Sequence, residues 1–195
     1  TALLQRRRYV HPVVLRTLPL ASEPWGLAAL PGGRLCVGGR GVAFVSAETG
    51  QQADTGLVVN SDCFDVVAHD DSVFASLDDC VVKFASDGTE LARSAAMDPY
   101  GLAIDGDRLL VATSDRVLGL DVGSLEQLCS IGDGLFEEAS DCAMCGGELF
   151  VADVSKPGEL QVFGLDCSLR RTVRGSFYRP EHLVGHEGRL YMLEA

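Results

Sequence analysis

The sequence predicts an all-β fold: a β-propeller of five four-stranded blades, its ring closed by N-terminal strands joining the C-terminal inner strands. Three observations carry this expectation. A turn-then-strand unit recurs five times, its anchors fall 36 to 41 residues apart, and the two chain ends together supply one more interval of the same length. Spacing of this size belongs to propeller blades rather than to leucine-rich or ankyrin repeats.

The five units are Pro31-Gly-Gly-Arg-Leu-Cys-Val-Gly, His69-Asp-Asp-Ser-Val-Phe-Ala-Ser, Asp105-Gly-Asp-Arg-Leu-Leu-Val-Ala, Cys145-Gly-Gly-Glu-Leu-Phe-Val-Ala and His186-Glu-Gly-Arg-Leu-Tyr-Met-Leu, anchored on Leu35, Val73, Leu109, Leu149 and Leu190. Each is a polar turn feeding an apolar strand. A short apolar run precedes each turn (Leu27 to Ala29, Val66 to Ala68, Leu102 to Ile104, Cys142 to Met144, Leu183 to Val184), too brief for a helix, and reads as an inner strand. A third run follows the first four units at Gly41 to Ser46, Cys80 to Ala85, Arg116 to Asp121 and Glu159 to Leu165, and a weaker fourth run comes next. One repeat is therefore a four-stranded meander. The fifth has only its two inner strands, Leu183 to Glu194, at the C-terminus. Its outer strands are expected around Leu4 to Val10 and Val13 to Leu18, with His11-Pro12 in the turn, where proline costs no ladder hydrogen bond. Such closure removes free sheet edges.

Composition narrows the class of function. The 195 residues are 47% hydrophobic and 23% charged, the profile of one globular domain over residues 1–195. Apolar stretches such as Arg108 to Thr113 are strand-sized, far below the ~20 residues of a membrane helix, so no membrane partner is expected. A net charge of −12 opposes unspecific attraction to phosphate, and no nucleic-acid partner is expected. The basic run Arg6-Arg7-Arg8 reads as part of a solvated outer strand. Seven cysteines, an odd number, lie among apolar neighbours, where the reduced thiol acts as a small hydrophobe; an intracellular, cytoplasmic setting is the expectation. The chain starts at Thr1 without the apolar region of a secretory signal, as a piece of a longer protein would.

Pro99-Tyr100-Gly101-Leu102-Ala103, a Gly-containing turn, Leu109-Leu110-Val111-Ala112 and then Asp115-Arg116-Val117 together resemble the NHL repeat, a likeness that extends over nearly the whole chain. The opening proline recurs only at Pro24, Pro99 and Pro180, and the aspartate that usually follows the second strand is clear only at Asp153. The chain is thus similar to NHL propellers of degenerate repeat. WD40 propellers fit less well, since no blade has a Gly-His opening or a Trp-Asp close. The resemblance implies propellers that bind protein or RNA, often joined to other domains, with a minority of metal-dependent enzymes.

In a propeller the segments leading into the inner strands gather around one mouth of the central channel. The equivalent positions here are Trp25, Phe64, Tyr100, Ser140 and Glu181, each followed by Gly26, Asp65, Gly101, Asp141 and His182. Three aromatics among five such positions, including the only tryptophan, have the composition of interface anchors. The alternative is that Trp25 and Phe64 cover the core between blades. Trp25, Phe64, Tyr100, Glu181 and His182 form the candidate binding set, while Asp65, Asp141 and His182 are candidate ligands for a divalent metal. The plainer reading of the two aspartates is that they accept backbone hydrogen bonds.

Ser22-Glu23-Pro24-Trp25 and Ser140-Asp141 faintly resemble two ligand segments of the calcium-dependent lactonases and phosphotriesterases. Tyr100 stands where that family has asparagine, and a sixth blade is missing. Cys142-Ala-Met-Cys145 has the spacing of zinc and redox pairs, but residues three apart on a strand face opposite sides. The chain contains no Gly-x-Ser-x-Gly elbow, no dinucleotide glycine motif and no P-loop. The expectation is a non-enzymatic scaffold without cofactor whose channel mouth docks a protein or peptide, favoured to be basic by the acidic loops Asp70-Asp71, Asp78-Asp79 and Glu137-Glu138. A metal-dependent hydrolase or lyase of propeller type is the second reading. An RNA-binding propeller, the third, lacks the basic face it would need.

Overall fold

The computed structural model describes residues 23–49, 51–59, 61–95 and 97–194. The expected outer strands at Leu4 to Val10 and Val13 to Leu18 lie outside the described residues. Four four-stranded meanders follow one another along the chain: β1 (Pro24–Leu30) to β4 (Gln52–Val59), β5 (Cys63–His69) to β8 (Glu90–Arg93), β9 (Pro99–Asp105) to β12 (Gln127–Ile131) and β13 (Ala139–Cys145) to β16 (Leu169–Arg174). Between them run β2 (Arg34–Gly39), β3 (Gly41–Ser46), β6 (Ser72–Leu77), β7 (Val81–Ala85), β10 (Arg108–Thr113), β11 (Val117–Asp121), β14 (Glu148–Asp153) and β15 (Glu159–Phe163). A two-stranded sheet, β17 (Pro180–His186) with β18 (Arg189–Glu194), completes the series. All strand pairs are antiparallel. No helix among the described residues is long and apolar enough to cross a membrane.

The tight turns explain the repeated Gly and Asp residues. Gly146-Gly147 and Glu187-Gly188 are two-residue hairpin loops in which both residues have positive φ, the geometry whose twist matches the flanking strands. Asp70 takes the same left-handed conformation at φ 50, which a short polar side chain tolerates.

The sheets stack face to face, and each apolar cluster lies between two of them. One joins the first and second sheets through Cys36, Phe44, Val66, Val73 and Phe84. Phe74, Val81, Leu102, Leu109 and Leu120 join the second and third. The third and fourth meet through Leu110, Ala112, Ile131, Cys142, Leu149 and Phe163, and the fourth and fifth through Phe150, Leu160, Val162 and Leu183. This explains why the second strand of each blade is apolar without alternation. Leu109 and Val111 point to one neighbouring sheet, Leu110 and Ala112 to the other, and both sides are dry. The Cys142 and Cys145 thiols accordingly enter different clusters, as their three-residue offset requires.

Innermost strands pack consecutively, β1 on β5, β5 on β9, β9 on β13 and β13 on β17, around a central cavity of about 390 Å³ that Leu27, Val66, Leu102, Asp141 and Leu183 help to line. Close approach depends on glycine. A Cβ at Gly101 would lie 1.8 Å from Asp141 Oδ1 and 2.6 Å from its Cα, and one at Gly185 would lie 1.9 Å from the Met144 carbonyl oxygen. Gly101→Ala and Gly185→Ala are each expected to cost about 3 kcal/mol, since backbone rather than a flexible side-chain end must yield. Urea unfolding of both variants checks this; a loss of a few tenths would contradict the packing described.

Candidate channel-mouth binding site

A β-bulge interrupts every inner strand at the same place. Register shifts fall between Pro24 and Gly26, Cys63 and Asp65, Ala139 and Asp141, and Pro180 and His182, and opposite Ala112 in the β9–β10 pair. The residues left over are Trp25, Phe64, Tyr100, Ser140 and Glu181. A bulge breaks the inward–outward alternation and re-aims one side chain. These positions, expected from sequence on segments leading into the strands, therefore lie within the strands, which begin about three residues earlier than their apolar runs.

The five bulge residues converge. Together with His182 they line one cavity of about 300 Å³ at the mouth of the channel. Trp25 and Phe64 stack with ring centroids 6.0 Å apart and planes 13° from parallel, while Tyr100 tilts against Phe64 at 5.6 Å and 51°. Three successive blades thus contribute one aromatic each to a continuous row. Ser140 is turned aside, its hydroxyl donating to the Pro180 carbonyl at 2.9 Å. Glu138, Val154 and Arg179 also line the cavity. Glu138 belongs to the acidic loop Glu137-Glu138 noted in the sequence, whereas Val154, in the β14–β15 turn, and Arg179, between β16 and β17, carry no repeat signal; Arg179 stands out only as a non-glycine residue at φ 44 just before Pro180.

One position further, the side chains act between blades. Asp65 Oδ1 accepts from its neighbour Val66 N at 2.8 Å and Oδ2 from Leu102 N of the next blade at 2.9 Å. Asp141 repeats the pattern two blades on, accepting from Cys142 N at 2.7 Å and from Leu183 N at 2.6 Å. Each carboxylate is a bridge between adjacent inner strands, and the glycines at the alternate positions, Gly26 and Gly101, leave room for Asp65 and Asp141 respectively. His182 Nδ1 lies 3.8 Å from Asp141 Oδ2, with its imidazole 45% exposed toward the cavity. Among the described residues, no group of three or more His, Cys, Asp or Glu could hold a metal ion. The carboxylate oxygens of the proposed ligands Asp65 and Asp141 all face amide donors.

Burial of Asp65 among the inner strands, reinforced by the charge of Asp141, pushes its carboxyl up to about 7. Burial raises Asp141 as well, against the opposing pull of His182 and the amide donors. The Asp141 carboxylate in turn raises His182 above its ordinary range.

No protein-family model matches the chain, and no curated protein sequence does. Solved structures do match. The computationally designed protein Ika4 superposes with a TM-score of 0.62 at 14% identity, over 75% of this chain and 96% of that one. BamB from Moraxella catarrhalis gives 0.66 at 14% identity over 91% of this chain and 57% of its own, and glutaminyl cyclase from Myxococcus xanthus gives 0.61 at 10% over 89% and 86%. The fold is a β-propeller. At these identities the likeness concerns architecture alone, and propellers host binding proteins and enzymes alike.

A carboxyl raised on folding binds its proton more tightly in the folded state, so its stabilisation is complete below the ordinary carboxyl range and is lost as pH climbs through about 7. His182, also raised, acts in the same sense: its contribution is present below its ordinary value and fades as pH passes the folded one. The melting temperature should therefore fall between about pH 5 and about pH 8, and Asp65→Asn should flatten that fall while lowering stability overall. Calorimetry across this range checks it; an Asp65→Asn profile parallel to wild type would contradict the assignment.

Proposed function

We propose that the chain is a non-enzymatic, five-bladed, NHL-like scaffold propeller whose channel mouth docks a protein or peptide segment carrying a basic side chain. The observation behind this reading is the aromatic row Trp25–Phe64–Tyr100, set by three bulges along a cavity that Glu138 and Glu181 also line, together with Arg179 and His182. Large rings offer contact area at low entropic cost, and a guanidinium or ammonium over an aromatic face gains further attraction when water is excluded. A net charge of −12 draws such a ligand in from a distance.

The face that β17 and β18 leave uncovered supports the five-blade reading. Leu190 and Met192 pack on the fourth sheet, but Tyr191, Leu193 and Val184 are 48%, 60% and 58% exposed on the opposite face. In the second strands β6, β10 and β14 both faces are covered. Leu27 of the first sheet, 62% exposed, lines the same central cavity as Val184. Residues 1–22 are long enough for two strands, and pairing Val13 to Leu18 and Leu4 to Val10 beyond β18 would complete the blade and bury its edge.

Trp25, the only tryptophan, reports on the site directly. Titrating short Arg- or Lys-bearing peptides and their Glu-bearing counterparts should change its fluorescence saturably with the basic set alone, and Phe64→Ala or Tyr100→Ala should weaken binding by about 2 kcal/mol, some thirtyfold. Equal response to both sets, or none to either, would refute the reading. For the fifth blade, the expected outcome of removing residues 1–22 is a melting temperature lower by about 10 °C and rapid amide exchange over Arg189–Glu194. Unchanged exchange there would rule out the closure.

A further inference from the structure

Cys129 and Cys167 lie 38 residues apart and on different blades, yet their sulfurs meet. Cys167 Sγ donates to Cys129 Sγ at 3.9 Å, and both thiols are free and half-buried. The two are held in place from independent directions. Cys129 sits on β12 opposite Gly119 of β11, where a Cβ would come within 2.6 Å of its sulfur. Cys167 occupies the β15–β16 turn at φ 65, its amide donating to the Gly164 carbonyl at 2.9 Å. Arg108 of β10 reaches across from the third blade to that turn, with Nη1 3.8 Å from Cys167 Sγ and Nη2 3.3 Å from the Leu165 carbonyl, and is itself paired with Asp105. The remaining cysteines, Cys36, Cys63, Cys80, Cys142 and Cys145, are buried in the apolar clusters.

We propose that Cys129 and Cys167 are a reversible oxidation site, a thiol pair that closes to a disulfide under peroxide and ties the outer edges of the third and fourth blades together. A bond of ~2.05 Å requires the sulfurs to approach by about 2 Å, within reach of side-chain rotation and a small movement of the turn. Burial and the neighbouring Cys129 hold the Cys167 thiol above its ordinary range, and the Arg108 guanidinium offsets part of that rise. In the proposed order the ionised fraction of Cys167 reacts first: its thiolate attacks hydrogen peroxide, the O–O bond breaks, and the sulfur becomes a sulfenic acid with release of water. The Cys129 thiol then displaces the hydroxyl from that sulfur as a second water. Two thiols and one peroxide give one disulfide and two waters. A dithiol reductant reverses the step. The cross-link spans a seam that is otherwise held mainly by the cluster around Leu110, Ile131, Leu149 and Phe163, so the oxidised ring should resist unfolding better than the reduced one.

The test treats the full chain with hydrogen peroxide under native conditions, blocks remaining thiols, and maps the products by mass spectrometry. The expected result is loss of two hydrogen atoms in one cross-linked peptide containing Cys129 and Cys167, restored by reductant, with the melting temperature raised by about 5 °C. In Cys129→Ser, a sulfenic acid should accumulate at Cys167 and be trapped by a dione reagent; Cys167→Ser should give no such product at Cys129. Arg108→Gln should slow the reaction about fivefold. Folding of each variant is checked by its near-ultraviolet spectrum, and wild type in urea serves as the comparison for geometry. Absence of the cross-link in native protein, equal rates in native and urea-unfolded chain, or a disulfide between any other pair would overturn the proposal.

Discussion

Burial of both faces of each sheet is the constraint on which this structure rests. A meander of four short strands cannot stand alone in water, and here the second, third and fourth blades each insert their second strand between two neighbours. Leu109 and Val111 serve one seam while Leu110 and Ala112 serve the other; Leu149 and Val151 against Phe150 and Ala152 repeat the arrangement one blade later. Stability is therefore shared along a series of seams rather than concentrated in one core. The same constraint makes the uncovered face of β17 and β18 informative, since the second strands β6, β10 and β14 are dry on both sides.

Stacking in this way forces the inner strands close together, and the residues near the channel record how that crowding is resolved. Glycine and aspartate alternate at one position, Gly26, Asp65, Gly101 and Asp141, so that each carboxylate finds space beside a neighbour without a side chain. The aspartates then satisfy amides on two strands at once, holding adjacent blades in register. Their protonation is coupled to folding because burial opposes the charged form and the amide donors favour it. The bulge one residue earlier belongs to the same solution: it lets the strand bend into the channel and turns Trp25, Phe64 and Tyr100 toward the mouth. Scaffold and candidate site are consequences of one local geometry.

Charge around the mouth is mixed rather than uniform. Arg179 and His182 stand among Asp65, Glu138 and Glu181, which suits a ligand bearing a cation flanked by polar backbone better than a bare ion. The ion pairs elsewhere, such as Arg171 with Glu148 and Arg174 with Glu159, join the outermost strand β16 to the first residues of β14 and β15 and are at least partly exposed. Pairs of that kind contribute little net stability, which leaves the apolar seams as the main support.

Much of this was legible in the chain because a blade is a local object. The turn glycines, the doubly apolar second strands and the constant interval are properties of contiguous residues, and Gly41–Ser46 and Glu159–Phe163 form strands where their patterns begin. The equivalence of Trp25, Phe64, Tyr100, Ser140 and Glu181 could also be counted from the repeat. What counting could not supply is position in space. Polar and aromatic residues at the start of each inner strand break the apolar pattern, so the bulges looked like connections. Glu138, Val154 and Arg179 have no place in the repeat and enter the cavity only because the blades converge. Cys129 and Cys167 touch because an outer strand and a turn on neighbouring blades face one seam. The sequence by itself determined the elements and their period, through short-range patterning; only packing between blades decided which side chains meet, because those contacts join residues some forty positions apart.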